Sequence, residues 1–403
     1  MSSTPSVAPE VVRVAVVGTG YVGLTTGACL AHIGWDVACA DIDAAKVERL
    51  RAGEIPIVEE GLEQIVHDAV AAGRLTFVVG APAAAEGADF VFLCVPTPQD
   101  DDGSADLSYV QAAAAEIAPV LKPGAVVINK STVPVGSTTV VERVMQRPDV
   151  SVVSNPEFLR EGTAVHDFLH PDRVVTGSDD PAAAQRVADL YAPLEAPVLV
   201  TDAASAETIK YAANGFLAMK ISFINAVAAM CEAVGADVEA VVAGIGSDHR
   251  IGPAFLRPGP GWGGSCFPKD SRALVSIASQ HGYDFSLMRG VITVNDEQQD
   301  RMVRKVAAAV GRGVAGFRPL EGVKVGALGL TFKAGTDDLR ESPSLAILNR
   351  LLRLGADIRS YDPTAAGDLD SVQQSRLAGL NPAPDALSAL AEADVAVVLT
   401  EWP

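Results

Sequence analysis

Between Val11 and Asp43 the chain reads VVRVAVVGTGYVGLTTGACLAHIGWDVACADID, and few folds accept such a run. A β-branched strand meets glycines, the glycines open a helix, and the helix leads to a second strand ending at Asp41 and Asp43, which makes one βαβ unit. Gly18, Gly20 and Gly23 stand in G-x-G-x-x-G order. The first allows a tight turn, the second lets a pyrophosphate reach the backbone, and the third lets helix lie close on strand. Free N–H groups and the dipole at the helix N-terminus favour the negative charge of that pyrophosphate. Asp41, about twenty residues on, suits the ribose hydroxyls of an adenosine. A carboxylate there repels a 2′-phosphate and no arginine follows closely, so NAD is expected rather than NADP.

Further strands are expected at FVFLCVPTP (90–98), AVVINKSTVPVG (125–136) and VSVVSNPEF (150–158). Ligands of open α/β sheets bind just beyond such carboxyl ends, which brings Thr97, Thr132 and Glu157 toward the nicotinamide end of the cofactor. The proline-free run 205–234 reads as one long helix, apolar nearly all round, as suits a buried spine or a subunit interface. On it Lys210 and Asn214 share a face, and polar groups on so apolar a helix need partners. After a helical stretch around 296–310, GVKVGALGLTFKAGTDDLRESPSLAILNRLLRLGADIRSYDP opens a second strand–loop–helix–strand unit. It lacks G-x-G-x-x-G, so no second dinucleotide is assigned; its loop offers Lys333 and Arg340 to an anionic ligand.

A chain of 403 residues is too long for one ordinary core. With 49% hydrophobic and 20% charged residues and no long uninterrupted apolar run, it reads as soluble and globular. The first ten residues resemble no secretory signal and are expected to form a disordered tail. A net charge of −19 disfavours nucleic acid and anionic membranes as partners. An anionic ligand therefore requires locally gathered cations.

Five cysteines without a C-x-x-C pair argue against a disulfide framework and for a reducing cytoplasm. No metal site is expected, since the six histidines are scattered. Cys29, Cys39, Cys94 and Cys231 lie in apolar helices or strands and read as small buried hydrophobes. Cys266 differs: it sits in GPGWGGSCFPKD, a glycine-rich loop whose backbone leaves room for a ligand, with Lys269 placed to favour a thiolate. Beside a nicotinamide, a thiolate can add to an aldehyde, and the thiohemiacetal can lose hydride to become a thioester. One site could then oxidise an alcohol twice. The spacing alone leaves open an incidental thiol.

Taken in order, GTGYVGL, VPTP, KSTVPVGS, SNPEFLREGTAVHDFLHPDRVV, GGSCFPKD and TDDLRESPS resemble the motifs of the UDP-glucose/GDP-mannose dehydrogenase family, over about Val12 to Pro403. The resemblance implies an α/β fold with two Rossmann-like doubly wound domains joined by a long central helix that forms a homodimer interface. The expected layout is an NAD-binding Rossmann domain over 11–203, a central helical dimerisation domain over 204–310 and a UDP-sugar-binding Rossmann-like domain over 311–403. Because the family pattern continues past LTEWP, a shortened last domain is expected. The implied activity is NAD-dependent, four-electron oxidation of a sugar C6 alcohol to a carboxylate in the cytoplasm. UDP-glucose is the expected substrate; GDP-mannose, a UDP-N-acetylhexosamine or a non-catalytic NAD-binding role are the alternatives.

Carried onto matching positions, the resemblance makes Cys266 the nucleophile and gives proton handling to Asp270 with Lys210 and a water. Lys210 and Asn214 would stabilise the oxyanion, while Glu157 and Thr132 would position or activate the hydrolytic water. For NAD it implies Gly18, Gly20, Tyr21, Val22, Gly23, Asp41, Thr97, Thr132, Glu157, Cys266, Lys269 and Arg340. For the sugar nucleotide it implies Glu157, Phe158, Leu159, Arg160, Glu161, Lys210, Asn214, Phe255, Arg257, Gly263 and Lys333, with Arg250 reaching the site of a neighbouring subunit. Trp262 stands where the family often has tyrosine or phenylalanine, and Ala334–Gly335 replaces a segment that often carries proline.

Overall fold

The computed structural model describes residues 12–99, 105–364 and 371–403, so the expected tail over 1–10 lies outside the described residues. The chain divides into two compact units, residues 1–210 and 211–403. The division falls inside one continuous helix, Ala203–Val234.

The first unit is built on strands β1 (Arg13–Val17), β2 (Asp36–Asp41), β3 (Leu75–Val79), β4 (Phe90–Leu93), β5 (Val126–Asn129), β6 (Ser151–Ser154), β7 (Val174–Gly177) and β8 (Val198–Thr201). They lie in the order β3-β2-β1-β4-β5-β6-β7-β8, parallel throughout except where β6 meets β7. The expected strands exist but are shorter than read: only their apolar first halves pair, and the polar or proline-rich remainders turn away from the sheet. Successive side chains of a strand point to opposite faces. On β1, Val14 and Val16 join one apolar cluster with Leu24, Ala28 and Leu30 of the helix Tyr21–His32, while Ala15 and Val17 join another with Val110, Ala114 and Val141. Helices on both faces explain why β4, β5 and β7 are buried along their whole length. The strand order reverses between β1 and β4, and the glycine turn and Thr97 stand beyond their carboxyl ends, where such sheets bind ligands.

By length and composition Ala203–Val234 is apolar enough to cross a membrane, which the sequence reading had not anticipated. Its buried Glu207, Lys210, Asn214 and Ser222 nevertheless find partners in the folded protein. Within the first unit, Glu207 accepts hydrogen bonds from the Gly136 N–H (2.6 Å), the Thr138 N–H (3.1 Å) and the Thr138 hydroxyl (2.8 Å). It thereby caps the helix Ser137–Met145 from outside.

The second unit contains the helices Val238–Gly246, Phe267–Gln280 and Ser286–Ala309, so the stretch expected around 296–310 is the end of a longer helix. Its sheet comprises β9 (Lys324–Leu328), β10 (Asp357–Tyr361), β11 (Asn381–Pro382) and β12 (Val395–Val398) in the order β11-β10-β9-β12, all parallel. Ile347, Leu348 and Leu351 of the helix Pro343–Arg353 fill the core on this sheet with Val325, Ala327 and Ile358. Ser342 starts that helix by accepting from the Leu345 N–H.

Candidate active site

In the first unit the glycine turn has the shape a dinucleotide needs. Gly18 adopts φ +97°, and a Cβ on it would lie 2.7 Å from the Cys94 carbonyl oxygen. At Gly23 a Cβ would fall 1.8 Å from the Gly18 oxygen, whereas at Gly20 it would meet nothing within 4 Å. The outer glycines are thus demanded by the chain itself, and the middle one faces open space. The helix Tyr21–His32 has no side-chain cap and no acidic residue in its first turn, so its N–H groups remain for an anion. Val22, half-buried, packs on the core below.

Asp41 ends β2 with its carboxylate held by the Thr19 N–H (3.1 Å) and hydroxyl (2.6 Å), the Asp43 N–H (3.1 Å) and the Lys46 ammonium (3.0 Å). Burial opposes its ionisation, but these bonds outweigh burial and hold its pKa down at about 2. Lys46 escaped the sequence reading, as did Ile42, which is 84% exposed and offers apolar surface beside Asp41. The residues present fit an NAD molecule: open backbone for the pyrophosphate, an ionised carboxylate for the ribose and an apolar wall beside it. Thr97 donates to the Thr132 carbonyl (3.0 Å), which joins the turns after β4 and β5.

Beyond β6 lies a buried ion pair, Lys210 to Glu157 at 2.9 Å. The second Glu157 oxygen accepts from the Leu159 N–H at 2.7 Å. Burial alone would raise the Glu157 pKa; the charge and hydrogen bond of Lys210, the Leu159 N–H and the charge of Lys130 outweigh it and hold the group below the usual carboxylate range. Lys130 was missed, although it follows directly on an apolar strand in KSTVP and so announces a buried cation. Its ammonium donates to Asn155 (3.1 Å) and lies 3.4 Å from the Tyr191 hydroxyl. Desolvation brings its pKa down to about 8, against the pull of Glu157. Phe158 stacks under the Arg173 guanidinium (3.7 Å), with the Lys210 ammonium 5.5 Å from its ring. Leu159 packs on the core, while Arg160, beside half-buried Glu161, is spent on Asp167 of the short helix Ala164–Leu169 that follows.

In the second unit Cys266 immediately precedes the helix Phe267–Gln280, whose N-terminus has no side-chain cap. Of the five cysteines it alone is not buried. Burial pushes the thiols of Cys29 and Cys94 up to about 12 and that of Cys39 higher still. Cys94 sits one residue beyond β4, under the glycine turn, rather than within the strand. One turn into the cysteine's helix Asp270 is fully buried, its N–H bonded to the Cys266 carbonyl (2.8 Å). Its carboxylate accepts from Asn214 (2.6 Å) and Lys269 (2.8 Å). Lys269 is therefore neutralised by Asp270, and the open helix end is the clearer source of positive potential at the sulfur.

The glycines of the cysteine loop have a different reason from the one read in the sequence. A Cβ on Gly263 would lie 2.1 Å from the Glu341 carbonyl oxygen, and one on Gly264, at φ +82°, would lie 2.8 Å from the Phe332 ring. That room is taken by the chain's own segment 332–343, which further fixes the loop through the Gly264 N–H and the Arg340 carbonyl (3.1 Å). Asn295 holds the loop from another side, bonding both the N–H (2.8 Å) and the carbonyl (3.0 Å) of Trp262. Phe255 adopts φ +62°, a costly conformation for an aromatic residue, and its ring centroid lies 6.2 Å from that of Phe267.

The other expected ligand groups are dispersed. Arg340 bonds Asp338 (2.8 Å), exposed Arg250 bonds Asp248 (2.6 Å), Arg257 bonds Glu401 (3.2 Å), and Lys333 lies over Phe332. The turn after β9 resembles the glycine turn of the first unit, but buried Asp362 takes up the N–H groups of Leu330 (2.7 Å) and Thr331 (3.1 Å) together with the Trp402 indole (3.1 Å). These two N–H groups are thus taken within the chain, unlike those at the start of the helix Tyr21–His32.

A doubly wound sheet with an open glycine turn defines a dinucleotide-binding protein of the Rossmann class. The sequence matches the NAD binding domain of the UDP-glucose/GDP-mannose dehydrogenase family over residues 12–195, its central domain over 204–297 and its UDP binding domain over 326–403. It is 47% identical to a UDP-glucose 6-dehydrogenase of Rhizobium meliloti, covering 97% of this chain and 89% of that protein. It is 44% identical to one of Bacillus subtilis, covering 97% and 84%. Among solved structures, a UDP-glucose dehydrogenase from Pyrobaculum islandicum superposes with a TM-score of 0.91 at 37% identity, covering 99% of this chain and 92% of that one. A UDP-D-ManNAc dehydrogenase from Pyrococcus horikoshii gives 0.82 at 28%, covering 97% and 90%. The chain belongs to the UDP-glucose/GDP-mannose dehydrogenase family.

Proposed function

We propose that this protein oxidises UDP-glucose at C6 to UDP-glucuronate in two NAD-dependent steps, with Cys266 as the nucleophile. The observation that carries the reading is Cys266 itself, an unburied thiol at an uncapped helix end with buried Asp270 one turn away. When bound, NAD would supply the hydride acceptor for C6 in each oxidation. Asp270, with Lys210 and a water, takes the alcohol proton in the first. The Cys266 thiolate then adds to the aldehyde carbon, and loss of the second hydride leaves a thioester. Lys210 and Asn214 stabilise the oxyanion. Water, oriented by Glu157 and Thr132, attacks the thioester; the C–S bond breaks, the thiolate leaves and the carboxylate is released. The remaining ligand roles follow the residues carried over from the family, with Arg250, Arg257, Lys333 and Arg340 supplying cations that an acidic protein needs for two pyrophosphates.

The three-domain layout belongs to the same reading, as does a cytoplasmic homodimer. Phe216, Phe223, Met230 and Val234 lie along one side of the central helix and are each more than half exposed, an apolar stripe that a second copy would cover. Phe223→Glu should shift the molar mass in light scattering from dimer to monomer; a wild-type monomer would refute the dimer.

The test of function is the yield of NADH per sugar nucleotide consumed, with UDP-glucose, GDP-mannose and UDP-N-acetylglucosamine supplied separately. Two NADH per UDP-glucose is expected. One would demote Cys266, preference for another sugar would move the substrate, and no turnover of any would leave a binding protein.

A further inference from the structure

The loop Phe158–Thr163 is pinned at both ends by buried carboxylates. At one end Glu157 accepts the Leu159 N–H, as described. At the other stands Glu59, 9% exposed, from the turn that precedes the helix Leu62–Ala71. Its Oε2 accepts from the Gly162 N–H (2.7 Å) and from the Tyr21 hydroxyl, and its Oε1 accepts from the Val165 N–H (3.4 Å). The Gly162 N–H also lies 2.7 Å from the Tyr21 oxygen, so it is shared by both. Gly162 adopts φ +86°, where a side chain would be strained. Tyr21 is the first residue of the helix that opens from the glycine turn. Three segments far apart in sequence thus meet at one carboxylate, and one of them carries the residues assigned to the sugar nucleotide.

We infer that Glu59 is a positioning residue that couples the two sites: the Tyr21–Glu59–Gly162 junction transmits occupancy of the dinucleotide site to the loop Phe158–Thr163, so cofactor and sugar nucleotide bind with positive cooperativity. The inference rests on the proposed function, which places NAD against Tyr21 and the sugar nucleotide against Phe158 to Glu161. Coupling requires an element that both ligands bias. Here it is the loop's second anchor, formed while the Tyr21 hydroxyl and the Glu59 carboxylate stand together. A ligand that fixes the start of the helix fixes that hydroxyl, and the loop is then set before the sugar arrives. Because coupling is reciprocal, the sugar nucleotide must tighten the cofactor by the same factor.

The test is equilibrium titration of NADH, followed by fluorescence, with and without saturating UDP-glucose, a pair that cannot turn over. The wild-type protein should bind NADH about fivefold or more tightly when UDP-glucose is present. In Tyr21→Phe and in Glu59→Gln that ratio should fall toward one, and the double variant should fall no further, because both remove the same junction. Tyr21→Phe deletes a single hydroxyl, so it remains interpretable if Glu59→Gln unfolds. A wild-type ratio of one, or a ratio unchanged in Tyr21→Phe, overturns the coupling. Two NADH per UDP-glucose together with an unchanged ratio would reject the coupling alone; absence of any turnover in the wild-type protein would reject the functional reading beneath it.

Discussion

Lys210→Met replaces a buried cation by an apolar side chain of similar length, and its cost should depend on pH in a way the ion pair dictates. Lys210 is 3% exposed and Glu157 5%, so solvent screening is slight. Removing one member of a buried pair costs about 3–5 kcal/mol, because the survivor is left charged and desolvated. In the wild-type protein the Glu157 pKa lies below its ordinary value, so the pair's contribution is present above the unfolded value of about 4.3 and is lost as pH falls through the folded one. In the variant the leading favourable influences vanish and burial prevails, which lifts the folded pKa. The variant therefore loses stability as pH rises past about 4.3, until its own raised pKa is passed. Urea unfolding of both proteins between pH 4.5 and pH 8, with those bounds chosen as roughly the span of this titration, should show a gap that widens with pH toward about 3–5 kcal/mol. Lys210→Met combined with Glu157→Leu should recover most of it, since neither charge then remains buried. A gap that is the same at both ends of the range, or below about 1 kcal/mol throughout, would refute the argument.

Gly20→Ala should leave the melting temperature within a degree or two, roughly the effect of a surface substitution, because its Cβ meets no protein atom. It should nonetheless weaken NAD binding by about tenfold or more, read by titration, through loss of close approach; unchanged affinity would remove the pyrophosphate from that turn. Gly263→Ala should do the reverse in stability, costing about 1–3 kcal/mol in urea unfolding through its clash with Glu341, and a neutral result would contradict the loop packing. Iodoacetamide on the native protein should label Cys266 alone among the five cysteines, identified by peptide mass mapping, since the others are buried. Comparable labelling of Cys29 or Cys94 would contradict the burial that raises their pKa values. Cys266→Ser should retain NAD and UDP-glucose binding yet slow turnover drastically, because a hydroxyl is the weaker nucleophile and leaving group; normal conversion to the acid would remove the covalent step.

What local pattern encodes was legible. The first βαβ unit, the long helix, and Cys266 apart from its buried counterparts all follow from periodicity, glycine spacing and flanking polarity. The lengths of β4 and β5 were overread because threonine and valine persist past the point where the strands stop pairing, and that of β6 because the turn Asn155–Pro156 was run on to Phe158. Partners distant in the chain were invisible: nothing in the sequence joins Glu59 to Gly162, or Tyr191 to Lys130, since such contacts are made by topology. The loop glycines illustrate the harder failure. A glycine spared for a ligand and one demanded by a neighbouring backbone look alike in a sequence, and only the Cβ geometry separates Gly20 from Gly263.

That geometry also bears on redesign. The cysteine loop and the segment 332–343 are shaped as mould and casting, with the Glu341 carbonyl and the Phe332 ring occupying the space that side chains at 263 and 264 would need. A loop transplanted from a relative with another sugar preference would arrive without its counterpart, and the mismatch would surface at the reactive sulfur three residues beyond Gly263. Altering specificity through this loop is therefore a two-segment operation, and libraries that randomise it alone will be depleted of folded members before selection for activity begins.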